Sequence, residues 1–139
     1  MAGGRVRSFF CLARGMEDKI NLADALGTFD EQWAPRNVAK VNDYDVRVAH
    51  IQGEFVWHSH EDTDELFQII SGEVQIHLRD RTIDLGPGDI YVVPKGVEHK
   101  PESPAGADIL LFEPSGTTNT GNTEEDLPEH IQTTSGVSL

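Results

Sequence analysis

The sequence predicts an all-β domain, a sandwich or closed barrel of short strands, with one short helix ahead of it. Three observations predict this. Between Asn37 and Phe112, β-prone runs alternate with Gly, Pro, Asn and Asp turns at regular spacing. In one run Val74, Ile76 and Leu78 alternate with Gln75 and His77, the pattern of a strand with one face in a core. The length, 139 residues, suits one domain that buries a core without staples.

Composition narrows the function classes. Hydrophobic residues make up 37% and charged residues 25%, as in a soluble globular chain with polar extensions. No apolar run reaches the length that spans a bilayer, so no membrane partner is expected. The formal charge of −13, from 24 acids against 11 Lys and Arg, repels nucleic acid and anionic lipid surfaces. A small anionic ligand stays open, since one local cation suffices to receive it. Cys11 is the only cysteine, which rules out an intrachain disulfide and agrees with a reducing, cytoplasmic setting.

Residues 1–15 carry three arginines and no acid, and their apolar stretch at 9–13 is too short for a signal peptide; they are expected to be a flexible extension. Residues 21–27 read as one short helix, capped by Asn21 and stopped by a left-handed Gly27. Trp33-Ala34-Pro35 breaks the pattern. Strands are expected at 38–41, 44–51, 55–60, 66–70, 74–78, 82–85, 90–93 and 107–112. Val93-Pro94-Lys95-Gly96 suits a type I turn. The segment from Glu113 to Leu139 has five acids, no Lys or Arg, and many Thr, Ser, Gly and Asn residues. This gives an extension (1–15), one barrel domain (16–115) and a poorly ordered acidic tail (116–139).

His58 and His60 stand one residue apart in a strand-like segment, so both imidazoles point the same way from backbone positions ~6.6 Å apart. Glu65 offers a carboxylate at the start of the next apolar run, and the turn after Val93 aims His99 back toward the sheet. Three nitrogens and one oxygen suit a divalent first-row metal, without separating Mn, Fe, Co, Ni, Cu and Zn. Four protein ligands on an octahedral ion leave two positions for substrate, water or oxygen. Glu61, Asp62 and Asp64 read as a solvated loop. Asp64 is the alternative to Glu65, which is better placed at the head of its strand.

These residues resemble the two motifs of the cupin family. The first reads Gly53, His58-Ser59-His60, Glu65 and Gly72, with one residue fewer after Gly53 than the usual form. The second reads Gly88, Pro94, Gly96 and His99, with Ser103 where the family has Asn. The resemblance covers about residues 36–115, and the short gap at 73–87 is that of compact microbial cupins. It implies a jelly-roll β-barrel of the RmlC-like kind, with His58, His60, Glu65 and His99 as metal ligands. Residues 53–58, 97–101 and 113–122 further resemble a subgroup of stand-alone small cupins, some loosely labelled mannose-6-phosphate isomerase-like. That likeness implies fold and metal, not a reaction.

Phe67 and Ile69 share the parity of Glu65 and are expected to line a pocket beside the metal, with Tyr91 a possible donor into it. His77 is expected to point away from the core. His50 shares the parity of Val46 and Val48 and reads as a core histidine. Trp57 faces away from the ligands and suits packing against the helix or a second subunit, so a homodimer is expected. The function expected is a metal-dependent enzyme, such as an oxygenase, isomerase or lyase, on a small polar metabolite. A non-catalytic metabolite- or sugar-binding module is the alternative. Sugar-phosphate isomerisation is a weaker one, since the nearby cations Arg79, Arg81, Lys95 and Lys100 fall on turns. Metal release is expected as pH falls into the histidine range, near ~6.5 or below.

Overall fold

A computed structural model describes residues 18–139. Residues 1–15, expected to form an extension, and Cys11 among them lie outside the described residues. The elements are α1 (Leu22–Leu26), β1 (Arg36–Val41), β2 (Tyr44–Glu54), β3 (Glu65–Gly72), β4 (Val74–Leu78), β5 (Thr82–Leu85), β6 (Ile90–Val93), β7 (His99–Pro114) and β8 (Val137–Ser138).

The long strand β7 organises the barrel. Its first part, from His99 to Glu102, pairs antiparallel with β4. Its second part, from Ala107 to Phe112, pairs with β2 on one side and β3 on the other. All eight strands join in one sheet, β5-β4-β7-β2-β1-β8, with β3 branching from β7 and carrying β6, and this sheet closes as a jelly-roll barrel. β3 and β7 approach closely where Gly72, at φ +82°, ends β3. A Cβ there would collide with the Gly106 carbonyl and with Ala107, so both the conformation and the space require glycine.

Two apolar clusters result. The barrel interior holds Ala49, Ile51, Phe55, Phe67, Ile69, Val74, Ile76, Leu78, Ile109 and Leu111. A smaller cluster of Ala25, Leu26, Phe29 and Val48 seats α1 on the outer face of β2. None of the described helices is long and apolar enough to cross a membrane.

Several expectations change. Residues 55–60 are not a regular strand; only His58 pairs, in an isolated bridge to His99. Asn21 does cap α1, its Oδ1 accepting from Asp24 N at 2.9 Å, but Gly27 has φ −76° and is not left-handed. The turn after β6 runs from Pro94 to Val97, with Val97 N donating to Pro94 O and Gly96 at φ +78° in its third position. That is the type II pattern and not type I, and it releases Gly96 N to donate to His60 O at 2.8 Å. The last long strand begins at His99, eight residues before the expected 107.

The segment 116–139, expected to be poorly ordered, is fastened to the barrel in this structure. Asn122 N donates to Ser59 O, Thr123 Oγ1 donates to Trp57 O and β8 pairs in parallel with β1, while Asn119 ties the segment to itself by donating to Gln132 O and accepting from Thr134 N. Ile131 is buried in the main core. Composition signalled disorder because the segment has few apolar residues, whereas its backbone amides reach groups that the folded barrel presents, Asn122 N donating to Ser59 O and Val137 N to Pro35 O.

Candidate metal centre

The site is assembled by the isolated bridge between the two motifs. His58 N donates to His99 O at 3.0 Å, and His99 N donates to His58 O at 2.9 Å. The imidazole centres of these residues lie 4.2 Å apart, and the His60 ring stands nearly perpendicular to that of His58 at 5.1 Å. Glu65 enters from the first residue of β3. One ligand atom from each of His58, His60, Glu65 and His99 lies within 4.8 Å of all the others, and all four residues are buried.

Backbone carbonyls fix the tautomers. His58 Nδ1–H donates to Val56 O at 2.8 Å, and His99 Nδ1–H donates to Val97 O at 3.0 Å. Each neutral ring therefore turns an Nε2 lone pair inward. His99 Nε2 is 3.0 Å and His60 Nε2 3.2 Å from the same oxygen, Glu65 Oε1. The His60 contact lacks hydrogen-bond geometry, so His60 Nε2 is a buried nitrogen without a partner. A lone pair facing a carboxylate oxygen at such range is repulsive, and a cation between them turns the contact into attraction. The donor set thus fits a metal ion.

The electrostatics agree. Burial, followed by the neighbouring His99, pushes the His58 imidazole down to about 3, so the ring stays neutral and able to ligate. Burial alone would raise the Glu65 carboxyl, but the adjoining imidazoles of His60 and His99 outweigh it and hold the group well below the usual carboxylate range.

A pocket runs inward from these ligands, with about 390 Å³ of space counting its mouth. Its walls are Trp33 and Phe55, stacked at 4.8 Å, together with Phe67, Ile51, Ile109 and Leu111. His58 and Glu65 reach it from the metal centre, and Asn119 reaches it from the C-terminal segment.

Of the expected pocket residues, Phe67 lines this space, Ile69 is buried in the core, and Tyr91 packs half-buried against the core without reaching the lining. His77 points outward, bonded to Glu102 and Thr82. His50 lies on the outer face of β2 and bonds Asp108 and the carbonyls of Leu26 and Phe29. Asp64 is not among the converging donors; its Oδ1 accepts from Lys95 N at 2.9 Å. Trp57 faces away from the ligands and carries the Arg79 guanidinium 3.8 Å over its ring.

Sequence reasoning missed Arg47 and Glu113. Arg47 is fully buried and donates to Glu113 Oε2 at 3.2 Å and to Thr117 O at 2.9 Å. Glu113 Oε1 has no partner; burial, with Glu65 adding to it, raises this carboxyl well above its ordinary value while Arg47 opposes. The only signal was an alternation of Asp45, Arg47, Ala49 and Ile51, which reads as a polar face at one end and an apolar face at the other.

Residues 45–113 match the Cupin_2 family of cupin domains. A cupin-2 domain containing protein from Shewanella frigidimarina NCIMB 400 is 46% identical, with a TM-score of 0.68 over 68% of this chain and 93% of that one. The chain belongs to the cupin family. The uncharacterized protein YdbB of Bacillus subtilis (strain 168) is 38% identical over 89 residues, which cover 63% of this chain and 79% of YdbB. Protein NMB1881 of Neisseria meningitidis is 27% identical with a TM-score of 0.65, over 70% of this cupin and all of that chain (100%).

Proposed function

We propose that His58, His60, Glu65 and His99 hold one divalent metal ion, and that this cupin is a metal-dependent enzyme acting on a small organic molecule. The observation that carries the reading is the convergence of four buried donors, one of them an imidazole nitrogen with no partner of its own. When bound, such an ion supplies Lewis-acid or redox chemistry to an oxygen-bearing ligand. The chain's own part is to fix two tautomers through Val56 O and Val97 O, to keep Glu65 ionised, and to exclude water with the walls of Trp33, Phe55 and Phe67.

A non-catalytic ligand-binding role for the same centre is the second reading. It is favoured by the positions of His50, His77 and Tyr91, none of which lines the pocket. Sugar-phosphate isomerisation is not supported: Arg79, Arg81, Lys95 and Lys100 also lie outside the pocket lining. A homodimer belongs to the proposal, with exposed Ile90 and Val92 on β6 as apolar surface for pairing.

The test is metal analysis of the purified protein beside His58→Ala and His99→Ala. One metal per chain in the parent and little in the variants is expected. Equal content in all three would overturn the centre. Light scattering in solution tests the dimer.

A further inference from the structure

The four candidate ligands border two spaces of very different size. The apolar pocket holds only about 40 Å³ of water-accessible space, far below what a small-molecule site needs. A groove that His60 borders holds about 460 Å³, within the range of such sites. Its walls are the ligand loop at 59–63 and the C-terminal segment at 115–118 and 121–122.

His60 differs from the other two ligand histidines in its outer nitrogen. Nδ1–H of His58 is held by Val56 O and that of His99 by Val97 O. His60 is only 6% exposed, yet its Nδ1 meets no such acceptor among the described residues. While Nε2 lies 3.2 Å from Glu65 Oε1, Nδ1 faces Gly121 on the groove wall, where a Cβ would stand 3.1 Å from it. With an ion on Nε2, the ring proton must sit on Nδ1, which makes His60 a donor directed at the groove.

The charge of the groove is one-sided. Every lining residue is polar or glycine; Glu61 and Asp62 are acids, and none is Lys or Arg. Asn122 Nδ2 donates to Glu61 Oε2 at 2.7 Å, which fixes this carboxylate at the wall and leaves Oε1 for a ligand. In a chain of formal charge −13, such a groove draws cations and repels anions. A donor at His60 beside acceptors at Glu61 and Asp62 calls for a molecule that accepts at one end and donates at the other. A hydroxyl group next to an ammonium group does both.

We propose that the groove binds a small cationic polyol, an amino alcohol or amino sugar. Its hydroxyl oxygen accepts from His60 Nδ1–H, and its ammonium group meets Glu61 and Asp62. This inference rests on the metal-centre reading above, because the ion on Nε2 is what fixes the proton on Nδ1.

The experiment uses the full chain loaded with zinc, its metal content measured first. Glucosamine, glucose and gluconate, alike in size and different in charge, are titrated in neutral buffer by calorimetry. Glucosamine is expected to bind with a dissociation constant of about 1 mM, about ten-fold tighter than glucose, and gluconate not at all. Its binding is expected to shift the His60 Nδ1–H proton resonance and slow its exchange, leaving those of His58 and His99 in place. Glu61→Gln is expected to weaken glucosamine about ten-fold at unchanged metal content. If that variant loosens the ligand loop and loses metal, Asp62→Asn, a change at an exposed side chain, gives the same reading. A zinc-loaded chain that ignores glucosamine, binds the three alike, or keeps its His60 resonance unmoved overturns this inference and leaves the metal centre standing. Unchanged affinity in the acid variants overturns it too. A chain that takes up no metal overturns both readings.

Discussion

The backbones of His58 and His99 exchange both of their hydrogen bonds, at 3.0 and 2.9 Å, in a bridge that belongs to no regular strand pair. This pairing brings the two motifs together, and it also removes both imidazoles from water: His58 is 3% exposed and His99 fully buried.

Burial at this bridge sets how the centre responds to acid. Because the His58 pKa falls from 6.5 to about 3 on folding, the unfolded chain binds the extra proton between those values. The stability that neutral His58 contributes is therefore complete above 6.5 and declines as pH falls toward 3. Metal-loaded protein dialysed at about pH 5 is expected to keep its metal, release coming only with unfolding at lower pH. Metal content and circular dichroism on the same samples check this. Release near pH ~6 with the fold intact, as the free-histidine range suggests, would count against it.

His50 responds in the opposite sense. Its Nε2–H donates to Leu26 O and Phe29 O, while Nδ1 sits 2.6 Å from Asp108 Oδ1, so both nitrogens act as donors and the ring is favoured in its charged form. Burial opposes that charge, but Asp108 and the two carbonyls outweigh it and raise the pKa. The contribution is complete below 6.5 and is lost as pH rises through the folded value. Asp108→Asn is expected to cost about 1 kcal/mol, more in mildly acidic than in alkaline buffer. Thermal melts of both proteins across pH test it; an equal loss at every pH would refute the linkage.

Arg47 is the only cation buried against Asp45 and Glu113 among the described residues. Arg47→Met leaves those carboxyls without it and is expected to destabilise by about 3–5 kcal/mol, measured by chemical denaturation. Glu113→Gln is expected to be milder and to alter the pH profile. With its pKa raised above 4.5, Glu113 holds a proton in the fold that the unfolded chain gives up, so its favourable contribution fades as pH rises above 4.5. The parent should therefore lose stability relative to Glu113→Gln over that rise. Parallel profiles would refute the assignment.

The C-terminal segment braces the ligand loop. Asn122 Oδ1 accepts from Ser59 N at 3.0 Å and from Ser59 Oγ at 2.9 Å, between the two ligand histidines. Gly121, at φ +52°, lies so close that a Cβ would strike the Ser59 carbonyl. Asn122→Ala is expected to cost about 1–2 kcal/mol and to weaken metal binding about ten-fold, read by chelator competition. Unchanged metal affinity would show that the brace does not act on the centre.

The sequence by itself determined the all-β class, most of the strands, the family and the four candidate donors. Those features are local: Val74, Ile76 and Leu78 alternate over one core face, and the two motifs keep their ligands and glycines at characteristic spacings. Which face of β2 turns inward was decided only by tertiary structure. Both faces are covered, one by the barrel and one by α1, so Val46, Val48 and His50 looked as inward as Ala49 and Ile51. The Arg47–Glu113 pair and the tie from Asn122 to Ser59 were likewise invisible, because each joins residues distant in the chain through groups whose local composition reads as solvent-facing. Periodicity reports a residue's own strand; it carries no information about what the fold lays over it.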